Sequence, residues 1–207
     1  MASISDDKKV KVAGVGHALL VPYPTQGHIN PMLQFANRIA SHNHSTTTAI
    51  TRFIASNMPT LLPTASSPVS IATISDGFDE GGFSAAPSIG AYLASLESAG
   101  ASSLSDLLLS LADRGDPVSV VIYDSFLPWV VRVARQHGVA AASFFTQSAA
   151  VNAVYCHAWQ GRMTYPLPAE ETTVEGLPGL PKLERTTCRR LLRCRRRWDI
   201  WHIRRWC

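Results

Sequence analysis

The chain has no apolar run of about 18 residues or more, so no segment of it reads as a membrane span. It has no glycine fingerprint for a dinucleotide: Gly14-Val15-Gly16 stands before the first apolar run rather than after it, and the third glycine is missing. Metal-ligand spacing is absent too. His42 and His44 sit in a polar turn without a nearby cysteine pair, and Cys188 and Cys194 have no partners at zinc-finger spacing, so no metal is expected. Cysteine is sparse in the body, where Cys156 alone precedes residue 184, as suits a reducing compartment. The N-terminal charges lead into a short apolar stretch broken by Gly14, Gly16 and His17, with no small-residue cleavage site, so no secretory leader is expected. These absences point to a cytoplasmic protein, in which the sequon Asn43-His44-Ser45 meets no glycosylation enzyme. No internal repeat is found.

Charge is scarce and uneven. A chain of 207 residues, 46% hydrophobic and 16% charged, suits one globular domain with at most an appendage. Its net charge of +4 would suggest an anionic partner if it were evenly spread. Residues 184–207 carry nine Arg against Glu184 and Asp199, net +7, which leaves −3 for residues 1–183. The same segment, "ERTTCRRLLRCRRRWDIWHIRRWC", holds three of the four Cys and three of the five Trp. Arginines neutralise phosphates and tryptophans stack on bases. No nucleic-acid-binding pattern accompanies the segment and the body is acidic, so nucleic acid is not expected as a partner. The expected division is a flexible N-terminus over 1–14, a domain over 15–183 and a disordered Arg/Trp/Cys-rich tail over 184–207.

What is present is an alternation of short β-branched runs with longer helical patterns, which predicts an α/β fold: a Rossmann-like parallel sheet with helices on both faces. "HALLVPY" (17–23) reads as the first strand. Asn30 as N-cap and Pro31 at the first helical position predict a helix to about Ser41, with Met32, Phe35, Ala36 and Ile39 at helical spacing. Strands are predicted at 46–53, 69–74, 118–124 and 139–145. Helices are predicted over 88–113, with a break near Gly100, over 128–138 and over 148–161. "DGFDEGGF" (76–83) is an acidic glycine-rich loop, and "YPLP" and "GLPGLP" mark an irregular linker.

In an open parallel sheet, ligands bind beyond the carboxyl ends of the strands. His28 follows the first strand, Asp124 ends the fourth and Thr146 follows the fifth, so a shared sheet edge brings them toward one another. A histidine held by a carboxylate is a good general base. The alternative is that His28 is a solvated turn residue and Asp124 a helix cap, and spacing alone favours that alternative by about two to one.

The residues themselves go further. "HALLVPYPTQGHINPMLQFANRIA", "VVIYDSFLPWVVRVARQHGVAAASFFTQSAAVNAVYCH", the loop "ISDGFDEGGF" and the linker "VEGLPGLPKLE" resemble, in order over residues 15–184, the N-terminal half of plant family-1 UDP-sugar-dependent glycosyltransferases of the GT-B fold. The similarity is to the branch that glucosylates small acids and phenols. The resemblance implies that His28 is the catalytic base, paired with Asp124, and that the reaction is an inverting transfer from UDP-glucose. It implies donor contacts at Gly27 and Thr146, and a small phenolic, terpenoid or carboxylate acceptor. No cofactor is expected, UDP-glucose being a co-substrate. Tyr23, Phe78, Phe83, Phe145 and Tyr155 are the candidates for an aromatic acceptor pocket, each with core or loop packing as the alternative. The family's sugar-nucleotide domain has no counterpart here. The expectation is thus a truncated, acceptor-binding half that holds the donor weakly, with a segment after Glu184 that reads as translation in a shifted frame.

Overall fold

The computed structural model describes residues 16–59, 66–164 and 167–191. The expected flexible segment 1–14 and most of the basic tail lie outside these residues.

Five parallel strands form the sheet in the order β3-β2-β1-β4-β5. They are β1 (His17–Val21), β2 (Ser45–Thr51), β3 (Ser70–Ile74), β4 (Val118–Asp124) and β5 (Ala140–Phe144). The helices between them are α1 (Gln26–Ala40), α2 (Arg52–Asn57), α3 (Ile89–Asp113) and α4 (Val130–Gln136). β1 is central and covered on both faces, which is why its sequence is a continuous apolar run rather than an alternating one. Leu19 and Val21 pack against α3 and α4 through Leu96, Leu104, Trp129 and Val130. Ala18 and Leu20 face α1 through Met32 and Ala36. The α/β, Rossmann-like class with helices on both faces is borne out.

Local differences from the sequence reading have physical causes. β1 stops at Val21, and the Thr25 amide donates to Tyr23 O at 2.7 Å, closing a turn before the helix. α1 starts at Gln26 rather than at Pro31, with Thr25 as its N-cap. Pro31 therefore sits inside the helix, and the carbonyl that loses its amide is that of exposed Gly27, which water can serve. β2 ends at Thr51, whose hydroxyl accepts from the Ile54 amide and starts the short α2, an element the sequence reading merged into a strand.

The predicted break at Gly100 does not occur; α3 is continuous over 25 residues. Gly100 serves packing instead. A Cβ there would meet the buried Trp129 ring at 3.0 Å, so the absent side chain is the notch in which α3 receives the indole. Gly100→Val is expected to destabilise the fold by about 1–3 kcal/mol, the usual cost of overpacking. Urea titration checks this, and an unchanged midpoint would mean that the indole relaxes freely.

Beyond β5 the chain builds a smaller unit from α5 (Ala149–Trp159), the antiparallel pair β6 (Thr173–Val174) and β7 (Leu183–Glu184), and α6 (Arg185–Leu191). Val154, Met163, Leu167, Leu177, Leu183 and Cys188 form its core. The Arg185 guanidinium donates to the carbonyls of Leu167, Pro168 and Glu171. The sequence reading drew its boundary at 184, where composition changes; the described part of that stretch, 184–191, packs on the unit before it. Residues 192–207 lie outside the described residues.

Candidate active site

β1 has β2 on one side and β4 on the other, and the chain crosses between these halves through α3. The crevice beyond the ends of β1 and β4 is thus the topological switch point, where open α/β sheets hold ligands. His28 lies in the first turn of α1, its amide bonded to Thr25 O at 3.0 Å. Asp124 is the last residue of β4 and has no exposed surface. β5 pairs Phe144 with Asp124, so Thr146 falls just past the same edge.

The three side chains meet. His28 Nδ1 is 2.6 Å from Asp124 Oδ2 and 3.1 Å from Thr146 Oγ1. Asp124 Oδ1 accepts the Phe126 amide at 2.9 Å, so both carboxylate oxygens are engaged and the acid cannot swing away. A contact this short between a ring nitrogen and a carboxylate needs a proton between them; with that proton on Nδ1, the neutral ring has its lone pair on Nε2. Nε2 has no hydrogen-bond partner among the described residues, and the side chain is 15% exposed. Two rings hold the imidazole plane: Tyr23 edge-on at 5.3 Å and Phe126 at 4.8 Å. Phe126 escaped the sequence reading. An Asp that bonds the amide two residues on is a common turn device, and the Asp124-Ser125-Phe126 run was the available clue.

A second histidine shows why this one differs. His17, at the opposite end of β1, also faces a carboxylate, with Nδ1 3.2 Å from Asp116 Oδ2 and 3.0 Å from Asp116 O. Its Nε2 is bonded to Thr47 Oγ1 at 2.9 Å, and its side chain is 1% exposed. Both nitrogens are committed, so His17 ties strands together and has none to offer a substrate.

Beside the first turn of α1 lies a cleft of about 230 Å³. Thr25, Gln26, Thr51, Phe53, Asp76 and Tyr92 are among the residues that line it. Asp76 is buried, with Oδ2 accepting the Tyr92 hydroxyl at 2.9 Å and Oδ1 the Phe78 amide at 2.8 Å. Burial, then the Asp76 charge, pushes the Tyr92 phenol far above its ordinary range. Burial, with a smaller push from Asp124, does the same for Tyr23. Both stay neutral donors at any ordinary pH. An ion pair, Arg52 to Asp79 at 2.7 Å, ties the acidic loop to the start of α2.

The remaining candidates divide. Phe83 lines the cleft and is half exposed. Phe78 packs on Tyr92 with ring centroids 5.9 Å apart. Tyr23 is buried against His28. Phe145 is 48% exposed and is not among the cleft's lining residues. Tyr155 packs against the core of the small unit. A Cβ on Gly27 would meet nothing within 4 Å, so the space above the first turn is open. Among the described residues no cluster of His, Cys, Asp or Glu could hold a metal ion, and no helix is long and apolar enough to cross a membrane.

The chain as a whole has counterparts in one class of enzymes. The chain is 43% identical over 166 residues to UDP-glycosyltransferase 74F2 of Arabidopsis thaliana, covering 80% of this chain and 36% of that protein. It is 41% identical over 180 residues to the indole-3-acetate β-glucosyltransferase of Zea mays, covering 82% and 37%. Os79 of O. sativa, solved in complex with a trichothecene, superposes with a TM-score of 0.66 at 45% identity over 72% of this chain and 34% of that one. No family model matches the sequence. The chain is thus similar in sequence to the N-terminal part of plant UDP-glycosyltransferases, and its fold is that of the matching part of a GT-B enzyme. It spans about a third of the length of the relatives it matches.

Proposed function

We propose that this chain is the acceptor-side half of an inverting glucosyltransferase, with His28 as general base and Asp124 as the group that holds its tautomer. The observation that carries this is the 2.6 Å bond from His28 Nδ1 to Asp124, which leaves Nε2 unengaged at a ligand-binding edge. An acceptor hydroxyl beside the first turn of α1 gives its proton to Nε2. Its oxygen attacks the anomeric carbon of UDP-glucose from the face opposite the phosphate, and the bond to UDP breaks with the electron pair leaving on the diphosphate. The transition state has oxocarbenium character, as in glycosyl transfer generally. Asp124 supports the imidazolium that forms.

The cleft between Gln26, Phe53, Phe83 and Tyr92 is the acceptor site in this reading, apolar with a few polar groups, as suits a phenolic, terpenoid or carboxylate molecule. Of the acceptor candidates, Tyr23, Phe78 and Phe83 lie at or next to it, while Phe145 and Tyr155 lie elsewhere. The open surface at Gly27 faces the donor in this scheme. In this scheme the chain serves chiefly the acceptor and holds the donor weakly. The sparing use of cysteine in the body supports a cytoplasmic place.

A second reading rests on the cleft beside α1, which is lined by protein groups of this chain alone: the chain binds an acceptor there without turning it over. One assay separates the two. Purified chain is incubated with labelled UDP-glucose and a pool of phenols and carboxylic acids, with His28→Ala alongside. Transfer that disappears in His28→Ala is the expected result. No transfer by the folded wild-type chain overturns the catalytic reading for it and leaves acceptor binding, read by equilibrium dialysis of the same pool.

A further inference from the structure

Thr146 makes a contact that the donor role implied by resemblance does not include. Its hydroxyl lies 3.1 Å from His28 Nδ1, the same nitrogen that faces Asp124. The carboxylate at 2.6 Å claims the Nδ1 proton, so the threonine oxygen cannot donate to this nitrogen; it accepts, as the longer arm of a three-centre bond. We propose that Thr146 is a positioning residue for the imidazole, a second acceptor that locks the Nδ1–H tautomer and presents the Nε2 lone pair to the crevice.

The geometry gives the hydroxyl a reason to be there. Tyr23 and Phe126 fix the plane of the ring but cannot tell its two nitrogens apart. Asp124 can, and Thr146 adds to that preference from a different strand end, so β4 and β5 both bias one tautomer. When Nε2 takes a proton, Nδ1 keeps its own and both oxygens face the positive ring. The hydroxyl proton of Thr146 has no other partner among the described residues and remains available to an oxygen ligand in the crevice. A contact with the donor sugar is thus compatible with the positioning role.

The inference rests on reading His28 as the base, but its test needs no turnover. Long-range proton–nitrogen spectra of the ¹⁵N-labelled chain report the tautomer of each histidine, the His28 signals being assigned by their loss in His28→Gln. Wild type is expected to show the Nδ1–H tautomer. Thr146→Val is expected to raise the minor tautomer, and to speed exchange of the Nδ1 proton with solvent, by about fivefold to tenfold, the size set by one hydrogen bond. Thr146→Ser is expected to restore both. If Thr146→Val does not fold, Thr146→Ala deletes the same hydroxyl without adding a methyl group and carries the same expectation. A wild-type tautomer ratio and exchange rate in these variants, or failure of Thr146→Ser to restore them, overturns the proposal while leaving the His28–Asp124 pair standing. Absence of transfer by the chain, conversely, leaves these spectra unaffected.

Discussion

Asp124→Asn is expected to lower glucosyl transfer by on the order of 10³-fold while the fold stays intact, because it reverses the tautomer of His28. The amide has the shape of the carboxylate, and its oxygen can keep the Phe126 amide that Asp124 Oδ1 accepts at 2.9 Å. The NH₂ group then faces His28 Nδ1, where a proton donor had been met by an acceptor. The imidazole relieves the clash by moving its proton to Nε2, which can no longer accept one from a substrate. Asp124→Ala is a different experiment. It strands both the Phe126 amide and the Nδ1 proton at a buried position, and is expected to destabilise the chain by about 2–4 kcal/mol. Transfer rates and urea midpoints for the two variants separate the effects. Wild-type transfer by Asp124→Asn would mean that His28 does not work through Nε2.

That pair was the most legible part of the site, and the reason is topological. β4 announces itself as an apolar run closed by an acid, and its bounds match the prediction to the residue. Once the sheet is parallel, the residue that ends β4 and the turn that follows β1 share an edge whatever lies between them. The start of α1 was harder. Asn30-Pro31 is a strong local signal for a helix beginning, yet the chain turns at Tyr23–Thr25 and starts the helix a turn earlier, which brings His28 onto it. Capping propensity is a local preference, whereas the end of β1 is set by pairing with β4 at Val21–Tyr123.

The partners of Asp76 were not legible at all. Nothing in "DGFDEGGF" names Tyr92 as the donor to its carboxylate, because the bond joins a loop to a helix laid across it. Tyr155 shows the same limit: nothing in its sequence separates an acceptor contact from core packing, and it packs against the core that its helix shares with Leu183 and Cys188. Periodicity gives the buried stripe of a helix but not the surface against which the stripe is laid.

The two buried tyrosines carry the other large expectation, a steep loss of stability in alkali. Below about pH 10 both phenols are neutral in the folded and the unfolded chain, and they contribute no pH dependence. Above it the unfolded chain releases its phenolic protons while Tyr23 and Tyr92, held far above their ordinary range by burial and by Asp124 and Asp76 respectively, keep theirs. The unfolded state then binds fewer protons than the folded one, so stability falls as pH rises, by about 1.4 kcal/mol per pH unit for each group. For the pair this is about 2.7 kcal/mol per unit, enough to exhaust a marginal fold within two or three units. Tyr92→Phe isolates one share. It removes a titrating group but leaves Asp76 Oδ2 without its 2.9 Å donor, so the variant is expected to be less stable at pH 8 and to have the shallower slope above pH 10. Urea titrations of both proteins between pH 8 and 11.5 should therefore converge as pH climbs. Parallel curves would show that Tyr92 ionises as easily in the fold as out of it, and that the hydroxyl between helix and loop is not sealed from water.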